Sequence, residues 1–118
     1  YTEFMQIETG SIQKIAGVVT QGRRDAAQWV TSFKVLVSDD GSKWTDVQCG
    51  YSFTGNTNQN TKVKSLFEEV VVSRYVRVYP QTFYGRMSMR AGVVICEKQC
   101  QGGQLDFTMH HDLASTTL

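Results

Sequence analysis

Between residues 22 and 30 the chain reads GRRDAAQWV, and side chains able to engage a ligand crowd together there: Arg23, Arg24, Asp25, Gln28 and Trp29. Each guanidinium is a planar fork of N–H donors that matches a carboxylate, a phosphate or the hydroxyls of a sugar. Asp25 and Gln28 add acceptors, and Trp29 adds an aromatic face. This is the chemistry of recognition. The same residues also admit a plainer reading, in which Trp29 opens the next strand as a core residue and the arginines form a solvated turn.

Turnover has no comparable signature. The chain lacks a G-x-S-x-G elbow, an H-E-x-x-H pair, a phosphate-cradling glycine loop, and any cysteine at a recognisable spacing from a histidine. Asp39-Asp40-Gly41 lacks the further alternating oxygen ligands and closing Glu of a calcium loop, so it reads as a turn. His110 and His111 precede Asp112, but adjacent residues on a strand point to opposite faces. The cysteines Cys49, Cys96 and Cys100 have no histidine near them, which argues against zinc. No metal and no cofactor is expected.

Three cysteines leave one thiol over after any internal bridge. In a secreted protein that suggests pairing with another chain or with a segment absent here; in a cytosolic one all three are small buried residues. We expect Cys96 to be oxidised, with Cys49 or Cys100 as its internal partner, strand geometry deciding between them.

The elements that must carry these residues are strands. Phe33, Val35 and Val37 alternate with Ser32, Lys34 and Leu36, the period of a half-buried strand. Asp39-Asp40-Gly41-Ser42 then turns the chain, and Trp44 to Val47 completes a hairpin. Tyr75 to Tyr79 alternates again, and Pro80 is expected to close it, since proline cannot continue an interior ladder. Met87 to Cys96 is the last long strand. Shorter runs at Phe4 to Glu8, Ile12 to Thr20 and Lys62 to Phe67 lie between clusters of Gly, Asn and Ser. The stretch GYSFTGNTNQNT, residues 50 to 61, reads as a loop and holds no N-glycosylation sequon. Many short strands with polar turns imply an all-β sandwich or jelly roll.

A chain of 118 residues, 41% apolar, with two Trp, five Tyr and six Phe, supports one domain with one core. Its net charge is +1, so no global field recruits nucleic acid or an anionic membrane, and electrostatic recognition has to be local. No apolar run approaches the roughly 18 to 20 residues of a membrane span. The longest, Gly92 to Cys96, is strand-sized. The chain opens at Tyr1 without an initiator Met or signal peptide, from which a processed or excised piece is expected. Residues 1–100 are assigned to the sandwich; Gly102-Gly103 marks a hinge, and 101–118 forms a tail that is either an added strand or disordered.

The segments GVVTQGRRDAAQWVTSFKVLVSDDGSKWT, FTGNTNQNTKV and SRYVRVYPQTFYGRMSMRAGVVICE, in that order, resemble the discoidin family. These are the coagulation factor 5/8 C-type domains of galactose-binding-like fold. FMQIETGSIQKIAGV is similar to the family's "WLQVDLG" strand and its successor, so the likeness runs from about Phe4 to Cys96. The resemblance implies an eight-stranded antiparallel jelly-roll β-sandwich, an extracellular or cell-surface location and no enzyme activity. It also implies a ligand met by loops at one end. Arg23 to Gln28 fall on one such loop, with Trp29 partly framework, and Phe83, Tyr84 and Arg86 occupy the place of another. Family members carry a further N-terminal portion, with a strand, a recognition loop and a cysteine bridging to the position of Cys96. Here a partner chain, an N-terminal peptide or the tail after Cys100 would have to complete the fold. The expected function is an adhesion or lectin-like module for a glycan or glycoprotein. The alternatives are a binder of phosphatidylserine-containing, anionic phospholipid surfaces, for which Ala26 and Ala27 are small, and a structural domain of a larger assembly.

Overall fold

The computed structural model describes residues 3–96, together with the backbone of Phe107–Met109 and Ala114–Thr117. Eight strands are assigned among them: β1 (Met5–Gln21), β2 (Trp29–Ser38), β3 (Thr45–Asp46), β4 (Phe53–Thr54), β5 (Val63–Tyr84), β6 (Ser88–Cys96), β7 (Phe107–Met109) and β8 (Ala114–Thr117). They form one hydrogen-bonded sheet in the order β3-β2-β5-β1-β6-β7, with β4 also on β2 and β8 also on β6, and every pairing is antiparallel. There is no α-helix among the described residues.

The sheet becomes a sandwich by folding over on β1 and β5. Met5 to Glu8 pair with Val78 to Tyr75, the register then shifts, and Gln13 to Ile15 pair with Ser73 to Val71. At the shift Gly10 takes a left-handed φ of 86°, and the Thr9 hydroxyl donates to the carbonyls of Ser11 (2.7 Å) and Arg74 (3.0 Å). One layer therefore holds the first half of β1 and the second half of β5, with β2, β3 and β4. The other holds the remaining halves with β6. Between them lies the core: Met5, Ile7, Phe33, Val35, Val76 and Val78 from the first layer meet Ile15, Val18, Phe67, Val93 and Ile95 from the second. Burying side chains of this size contributes about 1.5–3 kcal/mol each, which is what offsets the cost of ordering the chain.

A smaller cluster of Ala16, Val19 and Val94, with Val70 against it, occupies the opposite face of the second layer. That explains why Gly92 to Cys96 is apolar throughout and not alternating: the strand is buried on both faces. On the outer face of the first layer the Arg77 guanidinium lies between the rings of Phe4 (4.0 Å) and Trp44 (3.9 Å).

Four expectations from the sequence need correction. The runs at Phe4 to Glu8 and Ile12 to Thr20 fall, from Met5 onward, in the single strand β1, and the run at Lys62 to Phe67 joins Tyr75 to Tyr79, from Val63 onward, in β5. The bends within these strands had the look of breaks. Pro80 does not end its strand; it is buried and paired with Phe33. It sits where a missing N–H is tolerated, because β1 has no partner beyond Val78 and β2 is bulged at Ser32 and Phe33. The hairpin strand after the Asp39 turn is only Thr45–Asp46, and Val47–Gly50 is a tight turn in which Gln48 and Cys49 have left-handed backbone (φ 50° and 54°). Finally, Cys49 is exposed and free, so it does not bridge to Cys96, which is buried. Cys100, His110, His111 and Asp112 lie outside the described residues.

The Asp39-Asp40-Gly41 turn uses its carboxylate internally. Asp40 Oδ1 accepts the backbone N–H groups of Ser42 (2.8 Å) and Lys43 (3.0 Å) and the Ser38 hydroxyl (3.0 Å). Those bonds from Lys43, Ser42 and Ser38 favour the ionised form and lower the Asp40 pKa to about 2. A carboxyl whose folded pKa is depressed stabilises the fold above its ordinary pKa near 4 and loses that contribution as pH falls towards 2. A carboxyl-detected NMR titration of the folded protein should place the Asp40 midpoint about two units below an ordinary aspartate; a midpoint near 4 would contradict the turn geometry.

Candidate functional site

Three connections come together at one end of the sandwich: residues 22–28 between β1 and β2, 55–62 between β4 and β5, and 85–87 between β5 and β6. Strand pairing puts them there. At the end of β1, Thr20 is opposite Val63 and Gln21 opposite Arg90, while at the start of β2 Trp29 is opposite Tyr84.

Gly22 is where two of these segments touch. A Cβ on it would lie 2.9 Å from the carbonyl oxygens of Asn58 and Gln28 and from the Trp29 Cβ, so no other residue fits without displacing backbone. Gly85 has a left-handed φ of 77°, and its missing Cβ would stand 2.9 Å from the Ala27 carbonyl. The loop 22–28 is closed on itself by bonds from Arg23 N to Gln28 O and from Gln28 N to Ala26 O, both 2.8 Å.

Side chains then fasten the three loops to one another. Arg90 donates through Nε to the Gly22 carbonyl (2.8 Å), and through one terminal nitrogen to the Gln59 carbonyl (3.0 Å) and Asn60 Oδ1 (2.9 Å). Gln28 Oε1 accepts from the Ser88 hydroxyl (2.8 Å) and from Arg23 Nη1 (3.2 Å). Asn58 Oδ1 caps its own turn by accepting from the N–H groups of Asn60 (3.0 Å) and Thr61 (2.8 Å). Asn56 is buried and donates to the carbonyl of Thr20 at the end of β1 (2.8 Å).

All eight residues singled out from the sequence lie at this end, but in different roles. Arg23 is engaged within its own loop, with Nε 2.7 Å from Asp25 Oδ1. The hydrogen bond and charge of Arg23 hold the Asp25 carboxyl below its ordinary pKa. Gln28 is likewise committed internally. Arg24 and Arg86 are exposed, and neither guanidinium makes a hydrogen bond or a close ion pair among the described residues, the charge of Arg24 acting on Asp25 only through space. Trp29 is half-buried and stacks on Tyr84, ring centroids 4.5 Å apart and planes 13° from parallel. Trp29 is thus neither a sealed core residue nor a free platform: it backs the Tyr84 ring, which is 56% exposed. Phe83, one residue earlier and 45% exposed, alternates to the other face of β5.

Sequence reasoning missed Arg90, Ser88 and the role of the asparagines at 56, 58 and 60. One signal was present. Arg90 falls between Met89 and Ala91, both buried, and a cation inside such a strand has to find acceptors.

The profile of the F5/8 type C domain matches residues 1–93. Lactadherin of Rattus norvegicus is 37% identical over 99 residues, which cover 80% of this chain and 23% of that protein. Retinoschisin of Takifugu rubripes is 29% identical over 104 residues, 84% of this chain and 37% of that one. Among solved structures, discoidin II of Dictyostelium discoideum is similar with a TM-score of 0.74 at 27% identity, over 81% of this chain and 38% of that chain. The chain thus spans about a quarter of the length of the lactadherins it matches.

The roles separate by stability. Arg90→Ala removes a charged donor from three oxygens and should cost about 1.5–3 kcal/mol in urea unfolding, the range for hydrogen bonds to charged groups. Arg24→Ala should stay within about 0.5 kcal/mol, as exposed changes do. Equal losses in the two variants would refute this division into frame and free surface.

Proposed function

The chain belongs to the F5/8 type C domain family, and from that premise we propose that it is a non-enzymatic, extracellular binding module that recognises a glycan or glycoprotein through the three-loop rim. The observation that carries the reading is the Trp29–Tyr84 stack: an exposed aromatic ring, held rigid from behind, at the edge of a polar rim. A ring held this way offers a flat apolar surface to the C–H face of a sugar, with little ordering left to do on binding. Around it the loops present amide and guanidinium groups, the few oriented polar contacts that fix a ligand's pose.

A second reading has its own support. Phe83 and Tyr84 are both exposed beside Arg86, the combination of aromatic and cationic groups that suits a membrane surface. Against it, the tip of the 22–28 loop offers Ala26 and Ala27, and the 55–62 loop offers Asn, Gln and Thr. Insertion between lipids needs larger apolar groups at the tips.

Glycan arrays probed in parallel with phosphatidylserine vesicles separate the two. The glycan reading expects array binding that Tyr84→Ala reduces by about tenfold or more, the scale of losing one anchoring contact. A silent array with tight vesicle binding would refute it in favour of the membrane reading.

A further inference from the structure

The rim concentrates positive charge that the rest of the molecule does not share. Residues 22–28, 55–62 and 84–90 hold Arg23, Arg24, Lys62, Arg86 and Arg90 against Asp25 alone, in a chain whose total is only +1, so the remainder is net acidic. Two of the four arginines are accounted for by the fold. Arg90 is spent on the carbonyls of Gly22 and Gln59 and on Asn60. Arg23 is neutralised by Asp25 and hydrogen-bonded to Gln28. The one carboxylate of the rim is bonded to Arg23 and feels Arg24 only through space, so Arg24 and Arg86 remain as exposed guanidiniums that make no ion pair or hydrogen bond among the described residues.

Resting on the glycan reading above, we infer that the ligand is an acidic glycan, one whose sugar bears a carboxylate or a sulfate, and that Arg24 and Arg86 read the anion beside the Tyr84 ring. A guanidinium binds a planar carboxylate or a sulfate edge through two parallel N–H···O bonds, which a neutral hydroxyl cannot match in strength. The backbone on which each arginine rides is fixed: the Arg24 carbonyl lies beside the Gln59 amide (3.4 Å), and Gly85, next to Arg86, packs on Ala27. A lipid headgroup carries similar anions, but the tips of the 22–28 and 55–62 loops are small and polar, which leaves insertion into the bilayer beneath it to Phe83 and Tyr84. A free sugar acid or sulfate ester needs no such entry.

The test is biosensor binding of the whole chain to immobilised lactose, sialyllactose and sulfated lactose, with phosphatidylcholine vesicles containing or lacking phosphatidylserine in parallel. The expected result is that an acidic sugar exceeds lactose by about tenfold or more. Arg24→Gln with Arg86→Gln should abolish that excess while the melting temperature stays as it was, and Lys43→Gln at the opposite end should change nothing. The single Arg86→Gln variant should lose part of the excess. Lactose bound as tightly as its acidic forms, or an excess that survives the double change, overturns the inference and leaves the glycan reading intact. Anion-dependent binding seen only on phosphatidylserine vesicles overturns it in favour of the membrane. If none of the three sugars binds, the glycan reading fails and this inference with it.

Discussion

Everything in this structure follows from one pair of strands that stays paired through both layers. β1 and β5 are too long to lie flat in a sandwich of this size, so they bend together, at Thr9 to Ser11 in one and Ser73 to Arg74 in the other. A pair that folds back on itself returns its ends to the side it started from. The end of β1, the start of β5 and the end of β5 therefore share one rim, and the loops that leave them are neighbours however far apart they lie in sequence. Residues 22–28 and 85–87 meet because the register of β1, β2, β5 and β6 allows nothing else.

Proximity alone would leave three mobile loops. The rim is tied together by hydrogen bonds among its own polar groups, and of its buried side-chain polar atoms only Thr20 Oγ1 and Asn56 Oδ1 are left without a partner among the described residues. Arg90 reaches up from the second layer into two of the loops, and Gln28 joins the first to Ser88 of the third. Removing such a donor would leave the Gly22 and Gln59 carbonyls, whose bonds to Arg90 are partly buried, without that partner, which couples the loops to one another. This arrangement also decides which groups are left over. Arg23 and Gln28 hold the loop, whereas the Arg24 and Arg86 guanidiniums and the face of the Tyr84 ring turned away from Trp29 are left exposed, and those are the groups a ligand can engage at little cost to the fold.

The sequence displayed the fold class well, since period-two runs such as Phe33, Val35 and Val37 leave little choice. What it hid were continuities. A bend within a strand and a turn between strands have the same composition, so Gly10 looked like a break in β1. Pro80 looked like a terminator because its tolerance depends on where β1 begins, at the other end of the described chain. At the rim the residue types were legible and the roles were not. Nothing local distinguishes Arg23 from Arg24; only the fold shows that one faces Asp25 and Gln28. Arg90 was overlooked because its partners, Gly22, Gln59 and Asn60, lie in loops about 30 and 68 positions away.

The central claim is that three loops distant in sequence act as one recognition surface, and amide chemical-shift mapping tests it most directly. Adding a bound glycan to the isotope-labelled chain should shift the backbone amides of Arg23 to Gln28, Asn56 to Asn60 and Gly85 to Ser88 in concert, with one apparent affinity. The turn at Asp39 to Lys43, at the far end of β2, should not respond. Shifts confined to that far turn, or to Gln6, Trp44 and Arg77 on the outer face, would place the ligand elsewhere and contradict the account.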